Sequence, residues 1–277
     1  VIPLGPGPVP ASADELGARL GAGLGRVLAP ASGSPVPVNA EPGADGSISR
    51  VAADITGIDA SSAKDIEPGP IASSTRATIE ALSLTGSPAV LRGLPVTIAA
   101  EAEHVPVTWN TSGDGSLWLA VEDAATGASG QDAPASARVD VTAAVADLER
   151  LVADELSARL GGMGLSLKSL SVAVAALGTR GLDLRADATV GKSFLSAKVT
   201  VTGRAQVDEA LALTISNVDL SSGNPLVAAV VSRADSMIAP WNGRRIDLAT
   251  YTFAGARLRD VHVSVDSAIH LHARFGA

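Results

Sequence analysis

Cysteine is missing altogether, which excludes disulfides, thiolate metal sites, a cysteine nucleophile and a lipid-modified cysteine. Aromatic residues are scarce, with three Trp, three Phe and one Tyr among 277 residues. Interior surface must therefore come from Ala, Val, Leu and Ile, which tile a smooth wall but fill space less well than rings. Basic charge is short as well. The net charge of −8 is the wrong sign for nucleic acid, whose binders carry a clustered basic footprint. No uncharged apolar run approaches the ~18–20 residues that a membrane-spanning helix needs. Arg far outnumbers Lys, and Ala and Gly abound, which reads as high-GC coding rather than as function.

What the chain has is alternation. Leu182, Leu184, Ala186, Ala188 and Val190 interleave with Asp183, Arg185, Asp187 and Thr189. Leu211, Leu213 and Ile215 follow, then Val261, Val263 and Val265, then Ile269, Leu271 and Ala273. Period two puts one apolar and one wet face on each strand, the pattern of an antiparallel sheet covered on one side only. The segment Asn224-Pro225-Leu-Val-Ala-Ala-Val-Val reads as a short helix too apolar for a surface. A one-faced sheet with a greasy helix makes a place for a hydrophobic ligand.

Two further helices are expected. Ser12 caps one over Ala13 to Leu28, with Asp14 and Glu15 in its first turn and an apolar stripe of Leu16, Leu20, Leu24, Val27 and Leu28. Gly17, Gly21, Gly23 and Gly25 weaken it by roughly 1 kcal/mol each but let another backbone come close. The second runs from Thr142 to Leu160, striped by Val145, Leu148, Val152, Leu156 and Leu160 and widened by Leu151. Strands are expected near 47–58, 78–86, 94–103, 105–111, 116–122, 165–175, 181–190, 194–203, 207–218, 246–254, 257–265 and 269–275, with loops over 31–46 and 123–137. Residues 1–11, rich in proline, read as a stiff extended tether behind a signal peptide or an anchor helix. Residues 12–277 then form one domain of two helix-plus-meander halves, about 12–122 and 139–277, joined by a flexible loop at 123–138.

Catalytic motifs are weak. Ala186-Asp-Ala-Thr-Val-Gly191-Lys192-Ser193 nearly spells a phosphate-binding loop, but strand alternation on both sides makes it a hairpin turn. His262, His270 and His272 share the polar face of the last hairpin in a register that pairs Val265 with Ile269 and Val263 with Leu271. Three such imidazoles suit zinc with an open position, and a solvated His-rich face meets the same pattern; no metal and no cofactor is expected. There is no nucleophile elbow or HExxH helix, and Glu101, Glu103, Glu122, Asp123 and Asp183 are scattered over exposed strands and loops. Trp109, Trp118 and Trp241 sit near element ends, where a ring has one wet side, and Arg244 and Arg245 suit a phosphate head group.

Leu82-Ser-Leu-Thr-Gly86-Ser-Pro88-Ala-Val-Leu91, with Val96-Thr-Ile and His104-Val-Pro-Val after it, resembles a strand, Gly-x-Pro turn and strand of a known family. The helix Thr142 to Leu160 and the stretch Ile246 to Ala273, with Phe253-Ala-Gly255-Ala-Arg-Leu, are similar to its central helix and C-terminal end. The family is the LmeA-type phospholipid-binding proteins of the actinobacterial cell envelope, in the tubular lipid-binding (TULIP-like) group. The Pro-rich insert near 30–46, the 123–137 loop and Ala89 in place of an aromatic depart from it.

The resemblance implies an α+β fold in which a strongly curved antiparallel sheet wraps one or more long amphipathic helices and encloses an apolar tunnel. The expected lining is Leu148, Leu151, Val152, Leu156, Leu226, Val230, Val231 and Ile238, with Trp109, Trp118, Trp241, Arg244 and Arg245 at the mouth. The expected function is non-catalytic binding or transport of a phospholipid or glycolipid by an exported protein of the periplasm or cell envelope, free or tethered. A membrane surface or an envelope protein is a further expected contact. The alternatives are an extracytoplasmic adaptor for a protein partner and, below it, an envelope glycan hydrolase.

Overall fold

The computed structural model describes all residues except 29, 31–33, 123–134, 163, 193–194, 223–238 and 277. The chain divides into two compact units. The first takes Val1–Val141, Thr250–Asp260 and His272–Ala277, and the second Thr142–Ala249 and Val261–Leu271.

In chain order the first unit begins with β1 (Ile2–Pro6), α1 (Ala13–Leu28), β2 (Val38–Pro42), β3 (Ile48–Asp54), β4 (Ile71–Leu91), β5 (Leu94–Ser112) and β6 (Ser116–Val121). Next comes β7 (Ser136–Ala144), which runs across the unit boundary into α2 (Val145–Gly161). The second unit continues with β8 (Ser166–Ala176), β9 (Gly181–Lys192), β10 (Leu195–Val207), β11 (Ala212–Ser222) and β12 (Arg245–Asp247). The strands β13 (Thr252–Phe253), β14 (Ala256–Val265) and β15 (Ala268–Phe275) finish the chain.

The first sheet has ten strands among the described residues, in the order β13-β14-β15-β7-β5-β4-β3-β2, with β6 on β5 and β1 on β6. The β3–β4 pair is parallel and the β4–β5 hairpin antiparallel along nearly its whole length. Its core gathers Leu4, Leu16, Leu20, Ile48, Val105, Val107, Leu117, Leu119 and the Trp109 ring. Leu16 and Leu20, one turn apart on α1, are each 1% exposed, so this is a closed and well-filled core. The glycines of α1 do what their spacing suggests. A Cβ on Gly21 would stand 2.4 Å from the Val36 carbonyl oxygen, and one on Gly23 2.4 Å from that of Pro3. The helix thus lies almost backbone to backbone with the strands beside it.

The second unit carries a five-stranded antiparallel sheet in the order β12-β11-β10-β9-β8. The helix α2 packs on β8, the outermost strand.

These findings correct the expected fold class. Among the described residues the protein is mostly β, with 59% strand against 18% helix, and its sheets are open rather than wrapped around long amphipathic helices. The two α-helices among the described residues have 16 and 17 residues. Neither is enclosed by a curved sheet, and the tunnel that such a wrap would create goes with it. The physical reason is the length of the strands. A 21-residue β4 paired to a 19-residue β5 satisfies its main chain against neighbouring strands and needs no helix at its centre. Element bounds differ too. The two strands expected at 94–103 and 105–111 are one strand, in which the buried positions pass from even (Ala100, Ala102) to odd (Val105, Val107) at His104, φ +52°. Ile2–Pro6, expected as a tether, pairs with β6 through a bulge between Pro3 and Gly5, β2 stands where the sequence reads as loop, and β7 takes Thr142–Ala144 from the start of the expected helix.

Candidate functional site

The sheet of the second unit builds the face to which the alternation points. Its register sets apolar residues in rows across the strands. Val172, Ala186, Val201 and Leu220 form one row, and Leu170, Ala188 and Val199 form the next. Further along, Val174 stands opposite Leu184, and Ala176 opposite Leu182. Unlike the core of the first unit, this face is only partly sealed. Val172, Ala197 and Leu220 are buried, but none of the five apolar residues from Leu182 to Val190 is, and Leu184 is 36% exposed.

Helix α2 guards the edge of this sheet. The Val172 N–H, which points away from β9, donates to a carboxylate oxygen of Glu149 at 2.8 Å. Between helix and strand lies an open cleft of about 410 Å³ lined by Ala146, Glu149, Arg150, Ala153, Leu167, Lys168, Ser169 and Leu170. Arg150 is held by Asp147 at 2.8 Å, whereas Lys168 has no ion pair among the described residues.

The opposite face is polar and laced with ion pairs. Arg204 grips Asp183 with two bonds of 2.7 and 3.1 Å, and Arg185 grips Asp187 with bonds of 2.7 and 3.0 Å. Thr200 donates a third bond to Asp187, at 2.6 Å. The Arg185 and Thr200 bonds hold the Asp187 carboxyl down to about 2, and the Arg204 bond lowers that of Asp183. Carboxylates so firmly ionised are poor general acids near neutral pH. A second open cleft, about 320 Å³, lies among Ala173, Ala175, Asp183, Arg185, Arg204 and Asn217. Gly203 stands at a bulge of the β10–β11 pair, near Asn217, whose φ is +52°.

The residues expected from sequence fall in several places. Leu148, Leu151, Val152 and Leu156 are half-buried on α2, while the helix turns Ala146, Glu149, Arg150 and Ala153 to the cleft. Leu226, Val230, Val231 and Ile238 lie outside the described residues, as does Asp123. Trp109 is a core residue of the first unit, its indole N–H donating to the Gly46 carbonyl at 2.7 Å. Trp118 is half-buried on β6, and its indole nitrogen has no partner among the described residues. Trp241 is 48% exposed in the second unit, with the Arg244 guanidinium 4.6 Å from its ring centre. Arg245 pairs with Asp208 at 3.0 Å. The structure therefore brings Trp241 and Arg244 together, turns Arg245 to Asp208, and places Trp109 and Trp118 in the first unit.

Lys192 pairs with Leu195 in an antiparallel strand pair, so Gly191 and Lys192, expected in a turn, end β9, and the strand-to-helix joint of a phosphate-binding loop is not formed. The histidines are divided among separate carboxylates. His272 Nδ1 is 2.6 Å from Asp140, and His270 touches Asp266 and Thr142, each at 3.2 Å. Among the described residues no group of three or more His, Asp or Glu side chains is placed to hold a metal ion.

Sequence reasoning missed the cleft-lining face of α2 and the paired charges of β9 and β10. The second was legible in Asp183, Arg185 and Asp187, three alternate charges on one wet face. The first depends on which side of α2 meets β8, which no pattern in the sequence states. Comparison with family models, curated proteins and solved structures finds no match.

Proposed function

We propose that this chain is a non-catalytic protein that binds or carries a phospholipid or glycolipid in the bacterial cell envelope. The observation that carries the reading is the unsealed apolar face of β8–β11, above all the row from Leu182 to Val190. A protein with a filled core in one unit leaves such a face half-covered in the other where something apolar is to lie on it. Each methylene taken from water contributes about 0.8 kcal/mol, so acyl chains bind an open wall by area and need few directed contacts. The seat is an open face, not a tunnel. Trp241 with Arg244 supplies an amphipathic rim, the combination that suits a phosphate-bearing surface. The cysteine-free composition is compatible with a place outside the cytoplasm, and the ion-paired carboxylates support binding without chemistry.

The test is native mass spectrometry of protein purified from a bacterium of high-GC coding, followed by extraction of what is bound. An added mass that resolves into phospholipid or glycolipid is the expected result. A clean apo mass, with no uptake from vesicles of mixed phospholipid, overturns the proposal.

A further inference from the structure

The first unit leaves a stretch of strand edge open among the described residues, and it goes beyond the lipid reading. Strand β3 pairs with β4 only from Ile79 to Thr85, so the outer side of Ile71–Ala77 has no neighbouring strand among the described residues. Residues 71–76 are all exposed.

Which main-chain groups face outward follows from the side-chain faces. In a strand, the face taken by a side chain fixes the side to which its N–H and C=O point. Leu82 packs toward the core, so Thr85 lies on the far face, and its carbonyl accepts the Ile55 N–H on the β3 side. Ala77 and Ile79 face the core, so Ser74 and Arg76 lie on the far face, opposite Asn110 and Thr108. The main chains of Ser74 and Arg76 therefore point to the open edge, and those of Thr75 and Ala77 point to β5. The same rule holds on β5, where far-face Pro106 gives its carbonyl to Glu122 at 2.9 Å on the β6 side.

Several other edges of this protein are guarded. Glu149 caps β8, β12 and β13 have three and two residues, β1 carries Pro3 and Pro6, and β2 ends in Pro42 with the α1 backbone against Val38. Ile71–Ala77 has no proline, no lysine and no covering helix among the described residues, and such an edge is a template for another strand. Its side chains are small except Ile71 and Arg76. Arg76 is the only charge in the stretch, 67% exposed, and its guanidinium reaches Glu122 only at 3.7 Å.

We propose that the outer edge of β4 at Ile71–Ala77 receives an extended peptide segment of a partner protein, which adds as a strand and sets an acidic side chain beside Arg76. Main-chain bonds to Ser74 and Arg76 give the affinity, and the carboxylate opposite Arg76 gives the choice.

Amide hydrogen exchange on the full chain tests this, with the synthetic peptide acetyl-Thr-Val-Thr-Glu-Val-Thr-amide as probe. In dilute protein alone, the Ser74 and Arg76 amides exchange at least tenfold faster than those of Thr75 and Ala77. The peptide slows Ser74 and Arg76 at least tenfold, and its version with Lys in place of Glu does so less. Arg76→Pro, which removes an outward N–H that β5 does not use, abolishes the effect, and Arg76→Gln weakens it. Ser74 and Arg76 as protected as their neighbours without peptide, protection that appears only as protein concentration rises, or no protection by the peptide would each overturn the proposal. The second of these results assigns the edge to a second copy of the chain.

Discussion

Glu149 of α2 accepts the outward N–H of Val172 on β8 at 2.8 Å, so a helix side chain completes the hydrogen bonding of a sheet edge. A bond to a charged acceptor contributes about 1.5–3 kcal/mol. Glu149→Ala is expected to lower the stability of the second unit by about that much, and Glu149→Gln, which keeps an acceptor, by less. Urea midpoints for the two variants check this, and equal midpoints would mean that the bond is not formed in solution.

The glycines of α1 divide by what faces them. Ala is the better helix former by about 1 kcal/mol, and Gly25 has only ordinary contact, its Cβ 3.4 Å from the nearest atoms. Gly25→Ala is therefore expected to raise the melting temperature or leave it unchanged. Gly21→Ala drives a methyl to 2.4 Å from the Val36 oxygen, and a loss of about 1–3 kcal/mol is expected despite the better propensity. Calorimetry on the pair separates contact from propensity.

Acid stability has a defined sign. The Asp187 carboxyl sits near about 2, below its ordinary 3.8, because Arg185 and Thr200 bond its ionised form. A lowered folded-state value means stability that is complete above about pH 4 and lost as pH falls through about 2. Asp183 and Asp266 are lowered as well and add in the same direction. In Asp187→Asn the fall in stability between those limits is expected to be shallower, as read by circular dichroism of urea unfolding at several pH values. An unchanged slope would show that Asp187 is not paired in the folded protein.

Leu184 offers a test of lipid binding that spares the fold. At 36% exposure it bears little of the packing, so Leu184→Lys is expected to cost no more than about 1 kcal/mol. The same change sets a charge in the apolar row and is expected to reduce co-purifying lipid severalfold. Full lipid content in this variant would move the seat elsewhere.

Much of the second unit was legible because its strands are wet on one face. Alternation from Leu182 to Val190 locates β9, although the strand runs on through Gly191 and Lys192, which read as the start of a turn. The first unit hid more. Ile71 to Ala77 has no apolar period, so the strand reads as 78–86, starting next to Ile79, where burial starts. The helix at Val145–Gly161 was legible by period, but period says only that one side is apolar. It does not say whether a sheet wraps the helix or the helix lies along an edge, and that difference decided the fold class. Trp109 read as a boundary residue because it stands near a strand end, yet its ring is buried and only its N–H needed a partner, which Gly46 supplies.

The order in which the chain is made matters to this architecture. Residues 142–249 of the second unit lie between pieces of the first, and the strands β14 and β15, which complete the ten-stranded sheet and are shared between the units, come from the last residues to be synthesised. At about 5–20 residues per second, β7 waits on the order of 10 s for its partner, its outer edge unpaired meanwhile. The first unit therefore cannot be finished by folding from the N-terminus forward. A nascent chain stalled before Thr250 holds a complete five-stranded sheet beside an unfinished ten-stranded one.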